Sequence, residues 1–156
     1  MKFLQLSSIE QLEPGRWIEA TQTLRGDEEY LRDHFPRFPV MPGVLMLEGL
    51  FQAASFLVRA TRQHQPGLVL LQAAKNVKFG DFVAPGQTLK IRVDVVKEDG
   101  DSFIVKGQGT KDGSVAVAGR LVLACEPTDP DCEVAVALAR REVRQIMERL
   151  QNAAME

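Results

Sequence analysis

The stretch His34–Gln52, HFPRFPVMPGVLMLEGLFQ, decides how the rest of the chain is read. Pro36, Pro39 and Pro42 fall within seven residues. Each removes a backbone N–H donor and restricts φ, so His34 is expected on a stiff, extended or turned loop. A helix follows. Pro42 suits a first helical position, where its missing N–H would have had no intrahelical partner, and Gly43 leaves the backbone beside it sterically open. From Val44 to Ala60 the pattern is apolar nearly all round, with Glu48, Gln52, Ser55 and Arg59 as the polar exceptions. Their spacings of four, three and four place them on one stripe. Such a helix is buried on most sides and faces something wet along one line, a cavity or a partner's site. A carboxylate there is costly unless paired or protonated, which makes Glu48 a candidate for function.

Outward from this helix, the second half of the chain reads as strands. Leu68–Phe79 opens it, and Leu89, Ile91, Val93 and Val95 alternate with Lys90, Arg92 and Asp94, as in a half-buried strand. Asp99-Gly100 and Asp112-Gly113 suit tight hairpins, with further strands over Ser102–Thr110 and Val115–Ala124. An antiparallel meander with one face free for the helix is the expectation. Before the helix, Ile9–Leu12 and Trp17–Leu24 flank a turn at Glu13-Pro14-Gly15, and Arg25–Asp33 is an irregular or briefly helical approach to His34. His64 falls in a surface loop. The phenylalanines Phe35, Phe38, Phe51, Phe56, Phe79 and Phe82 are mostly core by default, with the walling of an acyl tunnel as the alternative for some of them. Beyond Pro130, Val136, Ala139, Val143, Ile146, Met147 and Leu150 recur at near-helical spacing opposite Arg140, Arg141, Arg144 and Glu148. This predicts an amphipathic C-terminal helix, with a capping box in Thr128–Asp131, docked on its own sheet or on another subunit. The domain reading is one unit over 1–127 and a helical extension over 128–156.

Size and charge narrow the function classes. A chain of 156 residues fits one domain. The net charge of −2, with basic residues scattered, gives no footprint for nucleic acid. Cys125 and Cys132 lack a disulfide framework or metal-ligand spacing and read as reduced cytoplasmic thiols. The first residues, MKFLQLSSIEQLEPG, lack the continuous apolar core of an export signal. Val40–Ala60 is long enough to span a bilayer, but Glu48, Gln52 and Arg59 would make insertion cost several kcal/mol, so no membrane insertion is expected.

The segment HFPRFPVMPGVLMLEGLFQ resembles the signature of the FabZ-type (3R)-hydroxyacyl-acyl carrier protein dehydratases, and Lys75–Val95, KNVKFGDFVAPGQTLKIRVDV, resembles their second recognisable block. The resemblance covers roughly residues 12–125. It implies an α+β hot-dog fold, an antiparallel sheet wrapped around a long central helix, and a hydro-lyase of fatty acid biosynthesis acting on acyl carrier protein or coenzyme A thioesters. It implies that His34 and Glu48 are catalytic and that Gly43 supplies the amide for the thioester carbonyl. Gln52 would support the carboxylate, with Val44, Phe35 and Pro42 beside the substrate. It also implies a homodimer, alone or as a trimer of dimers, in which the histidine of one chain meets the carboxylate of the other. No cofactor or metal is called for. Asp33 and Arg37 stand where this family commonly has glycines and add charge near the site.

The residue types suit that chemistry. Dehydration of a 3-hydroxyacyl thioester needs a base for the C2 proton and an acid for the departing C3 hydroxyl. A histidine, with a reference pKa of about 6.5, has a neutral fraction near pH 7, and burial of Glu48 would favour its proton-donating form. Unpaired N–H groups at the helix start would hold charge developing on the thioester oxygen. Glu48 lies about 7 Å along the axis from the helix start, so it and His34 need not meet within one chain. Two other classes use similar scaffolds: a thioesterase that directs water at the thioester carbonyl, and a non-catalytic acyl or carrier-protein binding module.

Overall fold

Period-two burial organises the sheet. In the computed structural model of the chain, strand β1 (Ser8–Glu13) turns through Gly15, at φ 80°, into β2 (Trp17–Thr23), where Ile18, Ala20 and Gln22 point inward. The structure describes residues 4–32, 37–63, 67–126 and 133–155, the side chains of 133–140 excepted. A short 3₁₀ turn over Glu29–Arg32 is the predicted helical approach to the His34 loop. Helix α1 (Gly43–Thr61) follows, then β3 (Leu68–Phe79), β4 (Thr88–Asp99), β5 (Ser102–Lys111), β6 (Ser114–Glu126) and α2 (Glu133–Ala153). His34, Phe35, His64, Cys132 and the expected capping box at 128–131 lie outside the described residues.

The six strands form one antiparallel sheet in the order β1-β2-β4-β5-β6-β3. The expected meander is therefore confined to β4, β5 and β6, and β3 lies outside β6. The reason is the path of the chain. After β3, residues 80–87 run back to bring β4 beside β2, and backbone bonds pin this return: Gly80 N–H to Ala116 O at 2.9 Å, Met41 N–H to Val83 O at 2.8 Å and Gly86 N–H to Leu24 O at 2.7 Å. The hairpins form where Asp-Gly pairs predict them. Asp112 and Gly113 both adopt positive φ, 50° and 81°, as a two-residue turn matched to strand twist requires.

The sheet wraps α1, which buries Met46, Leu50, Ala53, Ala54, Phe56, Leu57 and Val58 against inward-facing Ile18, Leu89, Ile91, Val93, Phe103, Val105 and Leu121. Each large side chain so buried stabilises the fold by about 1.5–3 kcal/mol. Gly107 on β5 lets the helix in, because a Cβ there would stand 3.3 Å from Leu50 Cδ1. By length and composition α1 could cross a membrane, but Met46, Leu50, Phe56, Leu57 and Val58 of that helix are buried in this core. Helix α2 docks on β1, placing Met147 and Leu150 in the core with Val143 and Ile146 packed beside them, so the apolar face over 143–150 rests on its own sheet. Of the phenylalanines, Phe56 is buried and Phe51 packs against the core. Phe38, Phe79 and Phe82 are 59%, 53% and 60% exposed, against the default reading. They lie in the loop before α1, at the end of β3 and in the connection after it, with Phe38 and Phe82 in edge contact.

Candidate active site

The site is built on the start of α1. Pro42 (φ −56°, ψ 138°) is extended, and its carbonyl accepts from Leu45 N–H at 2.9 Å and Met46 N–H at 3.3 Å. It is thus the capping residue, one position before the first helical place expected for it. Gly43 and Val44 become the first two helical residues, whose N–H groups have no acceptor within the helix. Those donors, reinforced by the helix dipole, form a site suited to negative charge. Gly43 is glycine for a packing reason: a Cβ there would stand 3.0 Å from Cε1 and 3.1 Å from Cδ1 of Phe79. Val44 is 68% exposed.

Glu48 and Gln52 come together one turn further on. Gln52 Nε2 donates to Glu48 Oε1 at 3.1 Å, and Gln52 Oε1 accepts from the Gln5 backbone N–H at 2.8 Å. The second bond decides the first: a backbone N–H must meet an oxygen, so the nitrogen of the Gln52 amide is turned towards the carboxylate. Glu48 is only half-buried within one chain, less than an acid in an all-apolar setting would be. All four residues of the polar stripe of α1 are part-buried. Ser55 and Arg59 continue it, and Arg59 Nη1 donates to Gly67 O at 3.2 Å, where burial lowers the pKa of its guanidinium.

The loop before α1 is held by aromatic contact. Phe38 meets Phe82 edge to face, with centroids 5.7 Å apart and planes at 81°. Asp81 Oδ1 accepts from Phe82 N–H at 2.7 Å and from Lys111 Nζ at 3.3 Å, and these bonds hold its carboxyl below the usual carboxylate range. The structure therefore joins Glu48 to Gln52 and gathers Pro42, Gly43 and Val44 at the helix start. His34 and Phe35 fall outside the described residues.

Sequence reasoning passed over two residues of this network. Gln22 is 2% exposed, and its Nε2 donates to Gln5 Oε1 and to Leu45 O, both at 3.3 Å. The signal was a glutamine in phase with Ile18 and Ala20 on the core face of a strand. Gln5 contributes through its backbone, which no side-chain pattern reveals.

A six-stranded antiparallel sheet wrapped on one helix, with a carboxylate on that helix, defines a hot-dog protein. The fold is shared with the dehydratase heterocomplex ApeI:P from Xenorhabdus doucetiae, at a TM-score of 0.67 and 20% identity over 81% of this chain and 85% of that one. It is shared also with an uncharacterised protein from Pyrococcus horikoshii, at 0.60 and 16% over 80% and 85%. Residues 1–120 match the FabA-like domain. Similar sequences include the 3-hydroxyacyl-[acyl-carrier-protein] dehydratase FabZ of Levilactobacillus brevis, 36% identical over 126 residues, 81% of this chain and 85% of that protein. The FabZ protein of Clostridium acetobutylicum is 33% identical over 118 residues, covering 76% and 84%. The chain belongs to the FabA-like family.

Proposed function

We propose that this chain is a (3R)-hydroxyacyl-[acyl-carrier-protein] dehydratase of fatty acid biosynthesis, a cytoplasmic hydro-lyase that converts 3-hydroxyacyl thioesters to trans-2-enoyl thioesters. The observation that carries the reading is the Glu48–Gln52 pair one turn inside a helix whose first N–H groups have no acceptor within the helix, in a chain over a third identical to a FabZ protein along most of its length. The assignments follow the chemistry. His34 takes the C2 proton, the electrons pass towards the thioester carbonyl, and the oxygen is held by the N–H of Gly43 at the helix start. Collapse of that charge forms the C2–C3 double bond, and the C3 hydroxyl leaves as water with the proton of Glu48. Gln52 orients the carboxylate, while Pro42, Val44 and Phe35 border the thioester. The hot-dog unit spans 1–127, and 128–156 is an extension.

A homodimer completes the site. On one side β3 pairs with β6; its other edge meets no strand among the described residues and carries exposed Leu68, Leu70, Leu71 and Phe79. Such an edge favours pairing with another chain. A second copy added there would reach Phe79 and the exposed start of α1, and would bury Glu48 further. His34 of one copy would then act with Glu48 of the partner subunit. The carrier is an acyl carrier protein. The test is incubation with 3-hydroxyacyl carrier thioesters of several lengths, following enoyl thioester absorbance. Appearance of that absorbance supports the reading, and release of free thiol without enoyl product overturns it.

A further inference from the structure

The sheet gathers onto its outer face basic residues that lie far apart along the chain. Lys106 on β5 stands opposite Arg120 on β6, and Arg120 stands opposite Lys75 on β3, so three cations form one row across three strands. Phe103 and Val105 of β5 and Leu121 and Leu123 of β6 are buried in the core, which fixes the row on the solvent side. Two bulges add to it. One extra residue in β3, where Asn76 takes φ 54°, brings Lys78 rather than Val77 opposite Ala118, on the face of Lys75. One extra residue in β4 brings Lys97 rather than Val96 opposite Ile104, on the face of Lys106. Bulges re-aim side chains in this way at the expense of a regular ladder. All five cations are exposed, and none forms an ion pair among the described residues. The acids of this face do not balance them. Glu19 and Asp94 are both held by Arg92, and Asp99 and Glu126 lie at the strand ends, opposite Ser102 and Leu68.

Like charges directly opposite one another destabilise a sheet, and the chain as a whole carries a formal net charge of −2. The row is therefore positive charge concentrated on one face against the sign of the whole molecule, and the fold gains nothing from it. Ile104 and Val122, opposite one another and half-buried, lie on the same face beside the row. We propose that this face docks on the surface of a lipid bilayer rich in anionic headgroups. Charge complementarity decides the occupant. Cations spread over three neighbouring strands match a two-dimensional array of phosphates, and aliphatic side chains set among lysine stems suit the boundary between headgroups and acyl chains. Nothing inserts, because α1 stays within the core. Lys106 and Arg120 are no part of the site at the start of α1, so the proposal does not depend on the dehydratase reading.

The experiment is co-sedimentation of the full chain with vesicles of phosphatidylcholine alone or mixed with phosphatidylglycerol, at equal total lipid. Binding is expected to the mixed vesicles only, and to be lost at about 1 M salt, where screening acts within about 3 Å. A cation beside an anionic surface is worth about 5-fold in partitioning, so Lys106→Gln with Arg120→Gln should bind about 25-fold more weakly. These two positions leave the open β3 edge untouched. The control is Arg141→Gln with Arg144→Gln, the same change of net charge on exposed residues of α2, which docks at the β1 edge of the sheet. It should bind within about 2-fold of the parent. Neutralising the row relieves like-charge contact, so the first pair is expected to melt no lower than the parent, and a lower Tm would mean that the fold does need the row. Equal losses in the two pairs, equal binding to neutral vesicles, or no binding to anionic vesicles overturns the proposal. In the last case, a raised KM for a carrier-linked substrate in the first pair would assign the face to an acidic protein instead. The vesicle measurement uses no turnover, so a protein that binds anionic vesicles but makes no enoyl product would refute the dehydratase reading alone.

Discussion

Gly49→Ala should destabilise this protein, although helix propensity alone says the opposite. In a helix interior alanine is favoured over glycine by about 1 kcal/mol. Here the new Cβ would overlap Gln22 Oε1 and stand 3.2 Å from Ile91 Cδ1. Gln22 cannot swing aside cheaply, because it is 2% exposed and donates to both Gln5 and Leu45. Overpacking costs about 1–3 kcal/mol, and loss of the two hydrogen bonds about 1 kcal/mol each. Less the propensity gain, the expected net is about 2–4 kcal/mol, or a Tm lower by about 5–15 °C for a chain of this size. The assay is thermal unfolding at fixed protein concentration, run as a cycle with Gln22→Ala and the double variant. Removing Gln22 vacates the space the Cβ needs, so the two substitutions should cost at least about 1 kcal/mol less together than the sum of each alone. A Gly49→Ala protein that melts higher than the parent, or a strictly additive cycle, would refute the close approach and the buried amide with it.

Three further outcomes test other parts. Mixing inactive His34→Ala and Glu48→Ala proteins under demonstrated subunit exchange should restore part of the enoyl-forming activity; a mixture that exchanges yet stays inactive rules out shared sites. Leu70→Glu with Phe79→Glu, which charges the open β3 edge, should shift the protein from dimer to monomer in sedimentation and abolish turnover, whereas an unchanged dimer would place the interface elsewhere. Asp81 has a lowered folded-state pKa, chiefly because it accepts from Phe82 N–H and then from Lys111, so its contribution to stability is present above the ordinary carboxylate range and lost as pH falls through the lowered value. The Tm gap between parent and Asp81→Asn should therefore narrow as pH falls through that window, and a gap that widened would contradict the sign.

How much was legible in the sequence depended on whether local pattern or spatial return carried the information. The 19-residue helix, the alternating strand at Leu89–Val95 and the Asp-Gly hairpin at 112–113 are set by side-chain period and backbone φ preference. Glu48 and Gln52 are four residues apart on that helix, so their contact was implied by 3.6-residue geometry alone. The exposure of Phe38, Phe79 and Phe82 was not legible, because hydrophobic type does not say which apolar residues are left at an open edge.

What the amino acids determined by themselves was the local inventory: a buried helix with one polar line, strands that hide one face, an acid on that polar line, and the prolines before it. Only the tertiary structure decided that β3 leaves the meander to form an open edge, that α2 closes on β1, and that Gln5 and Gln22 reach Gln52 and the helix start. These pairings join residues 17, 23 and 47 positions apart, some through backbone atoms common to every residue, and no periodicity along the chain encodes them.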